Sequence, residues 1–184
     1  MKSVKQHLAT VFLPPNKAAF PMCTHTMAVM LLLCIVVAVQ PFQALAFDAV
    51  GEMAATMEPT RKIVYKTIGD RELLLHVFEP AGFALDDRRP CFLIIHGGGW
   101  RGLGPRRMYP FAMHCVKLGM VAIAPEYRLV RPESGVTVFD CVQDSRSAVR
   151  YVRRHAATLG IDPDRLIVAG GSAGGHLAAG TAQF

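Results

Sequence analysis

Leu166-Ile167-Val168-Ala169-Gly170-Gly171-Ser172-Ala173-Gly174-Gly175-His176 decides the fold. Its first four residues are an apolar run without polar alternation, as a strand covered on both faces requires. The turn of small residues that follows leads into a helix predicted from Ala173 to Gln183. Flanking glycines let such a strand and helix approach closely. Ser172 stands at the centre of a Gly-x-Ser-x-Gly spacing with Gly170 and Gly174, and a helix N-terminus behind it favours developing negative charge. A turn of small residues needs no chemistry by itself, so Ser172 is a candidate nucleophile only in company.

Outward from this stretch the company appears. Pro90 to Ile95 is a second buried run, and it leads directly into His96-Gly97-Gly98-Gly99-Trp100. Backbone free of side chains at that point can turn its N–H groups toward a substrate oxygen. Between the two motifs, helical spacing runs from Arg107 to Leu118 with Gly119 as its stop, Met120 to Pro125 reads as a strand, and about Val136 to Leu159 reads as a helix closed by Gly160. Asp162-Pro163-Asp164 is predicted as a turn. Upstream, Arg61 to Ile68 and Glu72 to Phe78 flank Gly69-Asp70 as a hairpin. This element order implies an α/β protein with a mostly parallel sheet, an antiparallel N-terminal hairpin and right-handed crossovers.

Together these segments resemble the N-terminal half of hormone-sensitive-lipase-like esterases, and within them the exported feruloyl- or acetylxylan-esterase-like enzymes. The resemblance covers about Arg61 to Ala179. Tyr127-Arg128-Leu129 with Arg131-Pro132-Glu133 is similar to the family's YRLAPE segment, one residue longer at Val130. It implies an α/β-hydrolase fold in which Ser172 is the nucleophile and the backbone N–H groups of Gly98, Gly99 and Ala173 form the oxyanion hole. His96 would hold the glycine loop, supported by Gly97, Gly170 and Gly174. Arg128, Glu133, Asp140 and Asp144 read as ion-pairing residues that brace loops, and His76, His114 and His155 as surface or satisfied core residues.

The implied activity is carboxylic ester hydrolysis through a serine acyl-enzyme, on a small ester such as acetyl or feruloyl groups of polysaccharide, with no metal or organic cofactor. The family's triad runs Ser, then Asp or Glu, then His. No Asp or Glu follows Ser172 in these 184 residues, and the one histidine that does, His176, lies four residues on in the same helix and reads as pointing away from the site into packing. The expectation is therefore an incomplete chain without the triad acid and histidine, truncated after the helix that follows Ser172 and nearly inactive alone. An amidase of arylformamidase type is the nearest enzymatic alternative. A non-catalytic binding protein or remnant on the same fold is the alternative of another class.

Composition bounds the rest. The formal charge is +6, from 20 Lys and Arg against 14 Asp and Glu, but Lys2, Lys5 and Lys17 belong to a leader-like segment with no acidic residue before Asp48. The remaining arginines lack interleaved aromatics or a base-reading motif, which excludes a nucleic-acid partner as the reading. Met27 to Val39 is an apolar run followed by Pro41 and Ala44-Leu45-Ala46, the form of a secretory signal peptide with cleavage expected after Ala46. Residues 1–46 are thus a signal peptide or, uncleaved, a membrane anchor. Residues 47–59 read as a linker, 60–184 as the hydrolase part, and the location as secreted or periplasmic. Cys91, Cys115 and Cys141 fit no metal-site spacing, and no pair among them is singled out as a disulfide.

Overall fold

The computed structural model describes residues 49–182. The export segment, its cleavage point and the anchor alternative lie outside the described residues. Among the described residues no helix is long and apolar enough to cross a membrane.

Strands β1 (Arg61–Ile68) and β2 (Arg71–Phe78) form the expected hairpin, with Gly69 at φ 56° in its turn. Tyr65 is an extra residue in the register, because Val64 pairs with Leu74 and Lys66 with Leu73. A bulge of this kind cancels the usual alternation. Tyr65 and Lys66 therefore both reach across the sheet, the first to the Glu126 carbonyl and the second to Asp144, each at 2.6 Å.

The parallel part comprises β3 (Arg89–Ile95), β4 (Val121–Pro125) and β5 (Ile161–Gly170). Between them lie α2 (Tyr109–Lys117), entered by a 3-10 turn at Pro105–Met108, and α3 (Val138–Arg154), followed by a 3-10 turn at Ala157–Leu159. Helix α4 (Ala173–Thr181) follows β5, and the described residues open in a helix, α1, covering 49–55. Thr137 starts α3 with a reciprocal cap: its hydroxyl accepts from the Asp140 N–H, and the Asp140 carboxylate accepts from the Thr137 N–H at 2.8 Å.

The strand order is β1-β2-β4-β3-β5, with β2 antiparallel to β4 and with β3 parallel to both β4 and β5. Alternate residues of the apolar runs feed two cores. Val121 and Ile123 join the cluster under α3 and α4, whereas Ala122 and Ala124 face Tyr109, Ala112 and Cys115 of α2. Helices on both faces explain the lack of polar alternation in β3 and β4.

Two expectations change. Segment 47–59 is not merely a tether: α1 packs on the domain with Ala54 buried, and the Arg106 guanidinium holds its end by donating to the Ala54, Ala55 and Met57 carbonyls and pairing with Glu58 at 2.7 Å. A distant cation can cap helix carbonyls in a way that no local pattern announces. Asp162-Pro163-Asp164 is an irregularity inside β5, between the Arg89–Ile161 and Cys91–Leu166 pairs, with the Asp164 N–H bonded to the Asp162 carboxylate at 3.1 Å. Leu166 and Val168 pack against the α3 side, but Ile167 is 51% exposed, so β5 is not covered on both faces among the described residues.

Candidate active site

The route of the chain creates the site. From β3 it crosses to β4 on one side, and from β4 it returns to place β5 on β3's other side. Connections that diverge in this way leave a crevice at the carboxyl ends of the two adjacent strands. The His96 loop emerges from β3 and the Ser172 turn from β5, so both motifs meet there.

Ser172 adopts φ 53° and ψ −122°, a conformation that L-residues avoid, as the residue that begins α4. The Gly174, Gly175 and His176 N–H groups are consumed by the Gly171 and Ser172 carbonyls. A Cβ on Gly170 would lie 2.8 Å from the Ile95 carbonyl oxygen, and one on Gly174 would lie 2.7 Å from that of His96. These glycines let the turn press against the end of β3. Ser172 is exposed, and among the described residues nothing hydrogen-bonds its hydroxyl.

The opposing loop is built tightly. Gly98 takes φ 105° and its carbonyl accepts from the N–H groups of Arg101 and Gly102 at 3.1 and 3.0 Å. His96 is 2% exposed, with Nδ1 2.8 Å from the Gly97 carbonyl oxygen. Burial pushes its pKa down, favouring the neutral ring. Tyr127 stacks on that ring at 4.3 Å and donates its hydroxyl to the His96 carbonyl at 3.0 Å. Trp100, at φ 61°, packs edge-on to His176 on α4, 5.5 Å between ring centroids. His176 is exposed and turned toward this tryptophan, not into packing as its place on the helix suggests.

The bracing residues lie to one side. Asp144 is fully buried and takes Lys66 at 2.6 Å, the Arg128 guanidinium at 2.8 and 3.0 Å, and the Arg128 N–H at 3.1 Å. Asp140 joins Arg128 at 3.2 Å, whereas Glu133, expected to pair, is exposed and has no ion pair among the described residues. His155 stacks on Tyr151 and His114 is exposed, whereas His76 is buried and doubly partnered. Cys91, Cys115 and Cys141 are buried free thiols. Among the described residues no group of three His, Cys, Asp or Glu is placed to hold a metal ion.

A cavity of about 580 Å³ opens between the two motifs. It is lined by Gly97, Gly98, Gly99, Gly171 and Ser172 of the two motifs and by Val50, Leu103, Arg107, Met108 and Phe111. Sequence patterning missed Val50 and the α2 wall, because only the docking of α1 and α2 brings them to the serine. A strained serine facing a glycine loop across an apolar cavity is an arrangement suited to acyl transfer.

Residues 75–183 match the BD-FAE family. The chain belongs to that family. A curated AB hydrolase superfamily protein of Schizosaccharomyces pombe is 39% identical to this chain over 104 residues, covering 56% of this chain and 30% of the relative. The carboxylesterase NlhH of Mycobacterium tuberculosis is 35% identical over 130 residues, covering 68% and 39%. The apo form of esterase 2 from Thermogutta terrifontis superimposes with a TM-score of 0.62 at 43% identity, covering 65% of this chain and 44% of that one. The chain therefore spans less than half the length of these relatives. The fold is that of the α/β-hydrolase esterases, and the family is one of carboxylesterase-type hydrolases.

Proposed function

We propose that Ser172 is the nucleophile of a carboxylic ester hydrolase that works through an acyl-enzyme, with the N–H groups of Gly98, Gly99 and Ala173 binding the oxyanion. The observation that carries this reading is the strained Ser172 backbone, held against the glycine loop across the cavity. Attack of the hydroxyl oxygen on an ester carbonyl forms the acyl bond and expels the alcohol, and water then releases the acid. The cavity walls suit an acyl group, and Thermogutta terrifontis esterase 2 is described with propionate and with butyrate bound. Acetyl or feruloyl groups of a polysaccharide are the substrates proposed for this chain.

No imidazole reaches the Ser172 hydroxyl among the described residues, so these residues alone are expected to turn over esters weakly; loss of triad members costs up to about 10⁶-fold in serine hydrolases. An exported location, with residues 1–46 as the leader, is proposed on the sequence alone.

The test uses paraoxon, by which the same Thermogutta esterase is described as phosphorylated. The full chain is incubated with it in imidazole buffer, which supplies a base, and the Ser172 peptide is weighed. A diethylphosphoryl adduct on Ser172, absent from Ser172→Ala, is the expected result. No adduct there, with imidazole present, would favour the non-catalytic binding reading.

A further inference from the structure

On the α2 face of β2, among Phe78, Ala122 and Ala124, stands a histidine where the pattern calls for an apolar residue. His76 is 6% exposed and lies opposite Ala124, whose small side chain leaves room for the ring. A buried imidazole is tolerated when both nitrogens are partnered. Here Nδ1 meets the Tyr109 hydroxyl and Nε2 lies 3.3 Å from the Glu126 carboxylate.

Those two partners lead to two different parts of the candidate site. Tyr109 is buried at the start of α2, between Met108 and Phe111, which line the cavity wall. Glu126 is fixed at the end of β4: its N–H donates to the Leu74 carbonyl at 2.8 Å, its carboxylate accepts the Leu74 N–H at 3.2 Å, and its carbonyl accepts the Tyr65 hydroxyl. The next residue, Tyr127, is the one whose hydroxyl holds the His96 carbonyl at the root of the glycine loop.

We propose that His76 and Glu126 are positioning residues that hold the glycine loop, through Tyr127, in register with the cavity wall, held through Tyr109. The role rests on the ester-hydrolase reading of the site. Oxyanion donors act only when placed to within fractions of an ångström, and a buried pair with fixed partners supplies that placement without touching substrate. An apolar residue at 76 would keep the sheet but leave Glu126 and Tyr109 without their shared partner.

The loop's own hydrogen bonds provide the readout. In the full chain, amide hydrogen exchange is followed by NMR at Arg101 and Gly102, which donate to Gly98, and at Val130, which donates to the Trp100 carbonyl at 2.8 Å. Leu93 and Ile123 serve as sheet controls. His76→Leu is expected to raise exchange about tenfold at the three loop amides with little change at the controls, and His76→Gln, which can donate and accept, to restore most of the protection. Tyr109→Phe removes one hydroxyl and should shift the same amides less; it carries the test if His76→Leu does not fold. Unchanged loop amides, or loop and control amides rising together, would overturn the proposal. Paraoxon labelling of Ser172 is read separately, so failure of the ester-hydrolase reading shows as an unlabelled serine and not as altered exchange.

Discussion

A side chain on Gly97 would begin 3.4 Å from Ser172 Cβ and 2.8 Å from the Gly171 carbonyl oxygen. The glycine loop and the serine turn thus touch through backbone, and the missing side chain sets their separation. Gly97→Ala is expected to force the two turns apart, lowering stability by about 1–3 kcal/mol and slowing paraoxon labelling of Ser172. Urea unfolding and labelling rates check both; an unchanged labelling rate would contradict the claim that this contact sets the site.

Strain at Ser172 makes a second prediction. At φ 53° and ψ −122° glycine is comfortable and alanine is not. Ser172→Gly is expected to be more stable than Ser172→Ala by about 1 kcal/mol or more, although both lose the hydroxyl. Equal urea midpoints for the two variants would mean that the backbone there is relaxed.

Asp144 has no water to fall back on. Asp144→Asn leaves Lys66 and Arg128 facing a neutral amide, and the expected loss is about 3–5 kcal/mol. Lys66, whose side chain is 25% exposed, can recover hydration. Lys66→Met should therefore cost less, about 1 kcal/mol. Denaturant unfolding that ranked the two variants in the opposite order would show that Asp144 is not the centre of this brace.

Glu126 gives a pH dependence. Burial pushes its carboxyl pKa up, but the hydrogen bonds from His76 and the Leu74 N–H, with the charges of His76 and Arg71, outweigh this and hold it below the usual glutamate range. A pKa lower in the folded than in the unfolded chain means that ionised Glu126 contributes stability above the unfolded value and loses it as pH falls through the folded one. The urea midpoint of the wild type should exceed that of Glu126→Gln near neutral pH, and the gap should narrow below about pH 4. A gap that widened on acidification would reverse the assignment.

Burial also raises the pKa values of the Cys91, Cys115 and Cys141 thiols, so little thiolate is available at neutral pH. Iodoacetamide should leave all three unmodified in the native protein and modify them in urea, as peptide masses will show. Rapid native alkylation of Cys91, in the centre of the sheet, would contradict its place in the core.

The hairpin, the three parallel strands and the helices between them were legible because each needs only a local pattern of apolar runs or helical spacing, although the helix expected to run to Leu159 ends at Arg154 and Gly160 closes the 3-10 turn that follows. The serine turn and the glycine loop were legible for the same reason. Val50, Tyr109 and Glu126 carried no signal, because nothing near them in sequence says what they will touch. His76 read as a surface or satisfied core residue, and its partners lie 33 and 50 residues away. Segment 47–59 read as a linker because the Arg106 guanidinium that holds α1 lies about 50 residues downstream. Asp162-Pro163-Asp164 looked like a turn, since Asp and Pro favour one, yet pairing with β3 on both sides kept it within the strand.

By itself, then, the sequence determined the hairpin, the parallel strands and the helices α2 to α4, because backbone conformation and side-chain periodicity are local properties. Only the tertiary structure decided that β5 lies beside β3, so that Ser172 faces Gly97, and that His76 reaches both Tyr109 and Glu126. Strand neighbours and buried partners are set by which faces can be covered and which polar atoms can be paired together, and those requirements are met between residues far apart in the chain.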